Sequence, residues 1–143
     1  MMKEEERMNG IKSERALHKL DCETYAALES IVQEMDETVD AIVVEGLRDK
    51  VALEELGITK EIVLCSSRPD AAFVDDLSAR YRTVAILTDY DRAGKHFNKR
   101  LTTRLEHAGV KVERRYRDEV GRILGFRGMR CIESVNALKK RLL

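Results

Sequence analysis

The sequence predicts an α/β fold in which helices flank a four-stranded, mainly parallel sheet. Three short apolar runs, over 41–44, 61–65 and 83–88, alternate with longer amphipathic stretches. Near-continuous apolar strands separated by helices of about ten residues are typical of a parallel sheet that is buried on both faces. A chain of 143 residues also suits one compact unit, because domains commonly contain roughly 100 to 150 residues.

A helix is predicted before the first strand. Residues 13–36 contain no Gly or Pro, and apolar residues such as Leu17, Leu28 and Ile31 recur at near-helical spacing. The charged segment 1–12 is expected to be frayed and to lie outside this helix. We therefore predict a helical extension over residues 1–39 and an α/β domain over residues 40–143.

The remaining elements follow from breaks in the apolar pattern. Helices are predicted over 47–56, 71–81 and 95–107, the first ending at Gly57 and the third at Gly109. A loop is expected over 66–70. Apolar and charged residues alternate over 110–116, which predicts an edge strand that also carries Arg117. A loop with Arg122, Arg127 and Arg130 is expected after it, and a short helix follows from 132. The predicted strand order is 2-1-3-4.

Carboxylates follow two of the predicted strands. Glu45 ends the first strand, and Asp89 and Asp91 end the third. In an open α/β sheet, functional residues gather at the carboxyl ends of strands, beside the point where neighbouring connections leave in opposite directions. Adjacent strands lie ~5 Å apart, so these three side chains can face one cation. Oxygen ligands without His or Cys favour Mg²⁺ or Mn²⁺.

A simpler interpretation of the same acids remains open. Glu45 can be a first-turn acid that the helix dipole favours, and Asp89 or Asp91 can cap the next helix. Asp49 lies one turn after Glu45, where it can join the metal ligands or pair with a neighbouring Lys or Arg. The recurrence of the pattern at two strand ends, each followed by a glycine and a helix, favours the metal interpretation.

Candidate phosphate contacts surround these acids. Gly46 and Gly94 lie where a strand turns into a helix, and glycine permits unusual torsions and a close approach of phosphate. The basic residues that follow would present cations to the same polyanion; they are Arg92, Lys95, Lys99 and Arg100. Residues 1–91 contain 11 Lys and Arg against 21 Asp and Glu, whereas residues 92–143 contain 15 against 5. This asymmetry favours a nucleic-acid partner.

The two acidic motifs resemble those of the Toprim domain, in which one strand ends in Glu-Gly and another ends in D-x-D-x-x-G. The matching residues are Ile42 to Gly46 and Leu87 to Gly94. The sequence around Leu47 to Lys50 and Ser67 to Pro69 is similar to that of the small stand-alone Toprim proteins of archaea. It more distantly resembles the Toprim domains of the ribonuclease that matures 5S ribosomal RNA and of primases. The resemblance spans roughly residues 40–143.

The resemblance implies roles for the acids. It makes Asp89 and Asp91 ligands of Mg²⁺ and Glu45 a ligand that also acts in proton transfer, while Asp49 matches an additional acidic position of the nuclease branch. These four residues are thus the candidate metal ligands, and the first three are the candidate catalytic residues. The predicted cofactor is Mg²⁺ or Mn²⁺.

The predicted function is magnesium-dependent phosphodiester chemistry on nucleic acid, with a nuclease acting on RNA favoured. Two alternatives stay open: a non-catalytic magnesium-binding module that binds nucleic acid or assembles with it, and an enzyme that transfers or hydrolyses phosphate on a small nucleotide. No apolar run approaches the ~20 residues that a membrane span needs, which predicts a cytoplasmic protein without a membrane partner. The N-terminal helix and the edge strand are candidate surfaces for a homodimer.

Overall fold

The sheet has the predicted order and is parallel throughout. The structure, a computed structural model, describes residues 3–65 and 70–143. Its strands are arranged β2-β1-β3-β4, and each neighbouring pair is parallel. Their bounds are Ala41–Val44 for β1, Glu61–Leu64 for β2, Thr83–Ile86 for β3 and Lys111–Val112 for β4. The α/β prediction is therefore confirmed.

Helices cover both faces of the sheet. Leu28, Leu53 and Leu124 belong to one hydrophobic core cluster, and Phe73 and Leu101 belong to a second. The helices that contribute to the first are α1, α2, α5 and α6, while α3 and α4 contribute to the second. Their bounds are Glu4–Thr38 for α1, Leu47–Glu55 for α2, Asp70–Arg80 for α3, Arg92–His107 for α4, Arg114–Phe126 for α5 and Val135–Leu142 for α6, with a 3-10 turn over Ile132–Ser134.

Glycines end two of the helices as predicted. Gly57 follows α2 with φ of +106°, and Gly109 follows α4 with φ of +88°. These are left-handed conformations, which glycine adopts without the steric cost that a Cβ atom imposes. The chain can therefore turn sharply from each helix into the next strand.

The N-terminal helix is longer than predicted. The expectation that segment 1–12 lies outside it is wrong, because α1 begins at Glu4 and runs for 35 residues. Residues 4–19 are exposed, and the first buried side chain of the helix is Asp21. The absence of Gly or Pro alone does not fix this boundary, since Gly10 lies within the exposed part of the helix.

The prediction of an edge strand over 110–116 holds only for Lys111 and Val112 and is wrong for the residues that follow. β4 contains only Lys111 and Val112, and α5 begins at Arg114 in a region that was expected to be strand and loop. Tyr116, Val120 and Leu124 are buried along α5, and their spacing of four residues is the signal that identifies this helix. The predicted loop over 66–70 lies outside the described residues except for its last position, which begins α3.

None of the helices in the described ranges is both long enough and apolar enough to cross a membrane.

Candidate metal and phosphate site

The carboxyl ends of β1 and β3 form a crevice between two diverging connections. β1 and β3 are neighbours in the sheet. The helix that follows β1 contributes Leu53 to one core cluster, whereas the helix that follows β3 contributes Leu101 to the cluster on the opposite face. The two connections therefore leave the sheet in opposite directions. This is the arrangement that opens a binding crevice in α/β sheets.

The two strand ends meet through a hydrogen bond between predicted site residues. The backbone N–H of Asp89 donates to Oε1 of Glu45 at 3.2 Å. Both side chains are partly exposed. The structure thus brings together the acids that end β1 and β3, although 44 positions separate them in the chain.

Asp91 caps the helix that follows β3. Its Oδ1 accepts a hydrogen bond from the backbone N–H of Gly94 at 2.7 Å, and its backbone is extended, as is typical of an N-cap residue. The capping alternative is therefore what the geometry shows for this oxygen. Oδ2 takes no part in that bond, so capping does not prevent a carboxylate from also binding a cation.

The two glycines of the motifs, Gly46 and Gly94, have different surroundings. Neither has a positive φ, so the expectation that they adopt unusual backbone torsions is wrong. A Cβ atom on Gly94 would lie 2.0 Å from the carbonyl oxygen of Asp89, which means that only glycine lets α4 approach the end of β3 this closely. Gly46 has φ of −143° and ψ of 175°, and a Cβ atom there would meet nothing within 4 Å. Open space at Gly46 is compatible with the close approach of a ligand.

Asp49 is the most deeply buried acid near the crevice. Its exposed fraction is 6%, and its Oδ1 has no hydrogen-bond partner among the described residues. Burial raises the pKa of this carboxyl, the charges of Glu133 and Glu45 raise it further, and the backbone N–H groups of Gly46 and Glu133 partly offset these effects. A buried carboxylate oxygen without a donor is costly, and a cation would remove this cost.

Asp89 experiences the combined charge of the cluster. Burial raises the pKa of its carboxyl to about 6, and the charges of Glu45, Asp49, Asp91 and Glu133 contribute in that order. Within residues 3–65 and 70–143, no three His, Cys, Asp or Glu side chains are already arranged to hold a metal ion together. The donor set nevertheless fits a hard divalent cation, because it consists of carboxylates that form no ion pair with a Lys, Arg or His side chain of the described residues.

Two residues of the site were missed by the sequence analysis. Glu133 belongs to the C-terminal 3-10 turn, which was expected to be part of a helix without a functional role. Arg117 was expected on an edge strand, but it lies on α5 with an exposed fraction of 7%. Nothing in the local pattern distinguishes either residue from an ordinary surface charge.

Arg117 fastens the end of β3 to α5. Its guanidinium donates to the carbonyl oxygens of Thr88 at 2.6 Å and Asp89 at 3.0 Å, and to Oγ1 of Thr88 at 3.0 Å. It also lies over the ring of Tyr90, whose hydroxyl donates to the carbonyl oxygen of Arg117 at 2.7 Å. Burial lowers the pKa of Arg117. These contacts position the backbone from which Asp89 and Asp91 project.

The predicted basic contacts divide into two groups. Arg92, Lys95 and Lys99 are exposed on α4, and no ion-pair partner for them exists in the part of the chain that the structure describes. Arg100 donates from Nε to Oδ2 of Asp70 at 2.6 Å. The first group is therefore free to meet a polyanion, whereas Arg100 would have to share its charge.

Other basic residues of the second half are already paired. Arg114 binds Glu106, Arg115 binds Glu34, and both Arg127 and Arg141 bind Asp21. The positive charge of this half thus does not form one continuous surface. Charge counted along the sequence overstates the charge that is available to a partner.

A cleft of about 280 Å³ lies beside the crevice, between α4, α5 and the ends of β3 and β4. Its walls include Asn98, Lys99, Thr102, Arg114 and Arg117. None of the four predicted metal ligands lines it. The cleft is therefore a neighbour of the acidic crevice and not the same cavity.

The Toprim domain family matches residues 40–123. The chain belongs to this family. The Toprim match starts just before β1 and extends into α5, so it includes both acidic motifs.

Curated Toprim relatives come from archaea. A UPF0292 protein of Thermococcus gammatolerans is 40% identical over 101 residues, which cover 71% of this chain and 75% of the relative. A UPF0292 protein of Pyrococcus horikoshii is 34% identical over 84% of this chain and 89% of its own length. The chain therefore belongs with the small archaeal Toprim proteins, as predicted.

A solved structure supports the Toprim fold. A putative protein from Aquifex aeolicus is 27% identical, covers 73% of this chain and 94% of its own, and superposes with a TM-score of 0.63. Toprim domains generally bind a divalent metal, and membership of the family supports a general role in metal-dependent processes that involve nucleic acid. The reaction and its substrate need a further argument.

Proposed function

We propose that this Toprim protein cleaves phosphodiester bonds of nucleic acid with the help of Mg²⁺ or Mn²⁺, and that RNA is the preferred substrate. The observation that carries the proposal is the contact between Glu45 and the backbone of Asp89 at the switch point of the sheet. Through this contact, acids from two strands lie beside the start of α4, whose first turns present exposed basic side chains with no ion-pair partner among the described residues. A site of this kind combines ligands for a cation with contacts for phosphate.

The candidate ligands are Asp89, Asp91, Glu45 and Asp49. A bound divalent cation would neutralise charge on the phosphate and orient the displacement. Glu45, which is partly exposed, would accept the proton of the attacking water or return it to the leaving oxygen. Hydrolysis then adds one water across a P–O bond and leaves a phosphomonoester and a hydroxyl group.

Binding of the substrate is assigned to α4. Arg92, Lys95 and Lys99 would contact backbone phosphates, and the open space at Gly46 would admit a phosphate close to the chain. The sequence contains no Trp and only 5% aromatic residues. We therefore assign recognition to the phosphate backbone and not to stacking on bases.

The alternatives make different predictions. A binding module would associate with RNA or DNA in a salt-dependent manner, without cleaving either when metal is bound. The cleft beside α4 favours a small-nucleotide enzyme as the second candidate, because Lys99, which has no ion-pair partner among the described residues, lines it together with Asn98 and Thr102. Such an enzyme would turn over mononucleotides and would not need to bind polymers.

The test is cleavage of a panel of single-stranded RNA, structured RNA, single-stranded DNA, duplex DNA and mononucleotides with Mg²⁺ or Mn²⁺. Asp89→Ala is expected to lose activity at least about 100-fold, a magnitude typical of losing one electrostatic contact with the transition state. Asp75→Ala is the matched control, since Asp75 is an exposed acid on α3. Metal binding without cleavage of any polymer would contradict the proposal.

A further inference from the structure

Glu133 reaches the crevice from the far end of the chain. It lies in the 3-10 turn Ile132–Ser134, which packs against α2. Ile132, the first residue of the turn, and Val135, directly after it, each have an exposed fraction of 2% and belong to the core. The turn is therefore anchored by apolar burial, and Glu133 itself remains half-buried at the surface of this packing.

Asp49 is the point of contact between α2 and this turn. Backbone N–H groups of Gly46 and Glu133 lie near its carboxylate. Oδ1 nevertheless has no partner among the described residues, although 94% of Asp49 is buried. The charges of Glu133 and Glu45, both negative, are among the main influences on the pKa of Asp49, and both raise it.

This arrangement differs from an ordinary helix start. An acid in the first turn of a helix is stabilised by the helix dipole and by free N–H groups, and an exposed acid would need nothing more. Asp49 is buried, one of its oxygens lacks a donor, and the neighbouring side chains add negative charge. Buried carboxylates persist when they are paired or coordinate a metal.

We propose that Asp49, Glu45 and Glu133 together hold a divalent cation, and that this cation ties the C-terminal segment 129–143 to the catalytic end of the sheet. Glu133 is thus assigned to the metal site, although it lies outside the two Toprim motifs. No three acids of the described residues are already arranged around an ion, so the carboxylates of Glu45 and Glu133, which are partly exposed, would have to turn toward the cation. Asp49 supplies the fixed oxygen.

A second contact links the same segment to the site. The backbone N–H of Tyr90, between Asp89 and Asp91, donates to the carbonyl oxygen of Arg130 at 2.6 Å. The segment that carries Glu133 is therefore already joined to the loop that carries the motif acids. A cation at Asp49 would add a second attachment on the other side of the crevice, so that metal binding and the order of residues 129–143 are coupled.

The inference rests on the metal assignment of the proposed function and is independent of cleavage. The test is a titration of the full chain with Mn²⁺, followed by electron paramagnetic resonance and by hydrogen exchange of segment 129–143. Glu133→Gln is expected to bind Mn²⁺ about 10- to 100-fold more weakly, the range seen when groups that support a metal site are lost, and to lose most of the metal-dependent protection. Glu119→Gln is the matched control, because Glu119 is also half-buried but pairs with Arg115 on α5.

The outcomes separate the two proposals. Equal Mn²⁺ affinity of Glu133→Gln and wild type would overturn the assignment of Glu133, even if the wild type cleaves RNA. Weaker binding by Glu133→Gln, in a protein that cleaves no polymer, would support the assignment and contradict the proposed nuclease. No Mn²⁺ binding by the wild type, with Asp49 protonated or bonded to a buried water, would overturn the assignment as well.

Discussion

Two buried aspartates of this Toprim protein have opposite surroundings. Asp21 on α1 and Asp49 on α2 have exposed fractions of 5% and 6%. Asp21 accepts hydrogen bonds from Arg127 at 2.6 Å and Arg141 at 2.9 Å, and these bonds, with that to Arg141 contributing most, lower its pKa to about 2. Asp49 has no such arginine partner within residues 3–65 and 70–143, and burial raises its pKa.

The difference shows that the described arginines of the chain neutralise the buried charge of Asp21 but not that of Asp49. Asp21 joins α1 to the end of α5 and to α6, so its arginines serve the packing of three helices. Arg117, a buried cation beside the crevice, is bound to backbone carbonyl oxygens and not to the acids. The charge that would compensate Asp49 is therefore left to something other than the described protein groups.

The largest expected effect concerns Asp21. Asp21→Ala leaves Arg127, which is 11% exposed at its side chain, without its anion, and loss of one partner of a buried pair costs about 3 kcal/mol. We expect the free energy of unfolding in urea to fall by about this amount, with the affinity for Mn²⁺ unchanged. Arg141→Ala should lower stability less, since Arg141 is half exposed. An equal loss in both variants would show that the buried pair of Asp21 and Arg127 contributes no more to stability than the exposed Arg141.

A smaller effect of opposite sign is expected at Asp49. Asp49→Asn removes a buried charge, and the amide oxygen can still accept from the N–H groups near Gly46 and Glu133. Stability without metal, measured in the presence of a chelator at neutral pH, should rise by about 1 kcal/mol. The stabilisation that Mn²⁺ gives to the wild type should disappear. Asp21→Asn is the control for the same chemical change and should destabilise the protein.

A third expected effect is a dependence of stability on pH. Asp89 has a pKa of about 6 in the folded chain, above its ordinary value of 3.8. Between these values the folded state binds more protons than the unfolded state, so stability falls as the pH rises from about 4 to about 6. The difference between wild type and Asp89→Asn, taken from urea unfolding at several pH values, isolates this contribution. Asp21 acts in the opposite sense: its lowered pKa gives stability that is lost as the pH falls toward about 2.

The sequence predicted the site in outline because its acids follow strand ends. Apolar periodicity located β1 and β3, and the rule for parallel sheets then placed Glu45 beside Asp89, as the structure shows. The same method failed for α5. The alternation over 110–116 resembles a strand, but the side chains of Tyr116, Val120 and Leu124 pack on α1 and the sheet with helical spacing. Short windows cannot decide between periods that overlap for a few residues.

By itself, the sequence determined the α/β fold, the strand order, the Toprim motifs and four candidate metal ligands. These features depend on local patterns and on topological rules that hold for many chains. Only the tertiary structure decided that Glu133 and Arg117 lie at the site and that many basic residues are already paired. It also decided that Asp49 is buried with one oxygen that no described residue contacts by a hydrogen bond. Such facts depend on contacts between distant positions, as with Asp21 and its arginines, which are 106 and 120 positions away. Burial and charge compensation arise from packing, and a local sequence pattern does not predict which distant side chain will contact a given residue.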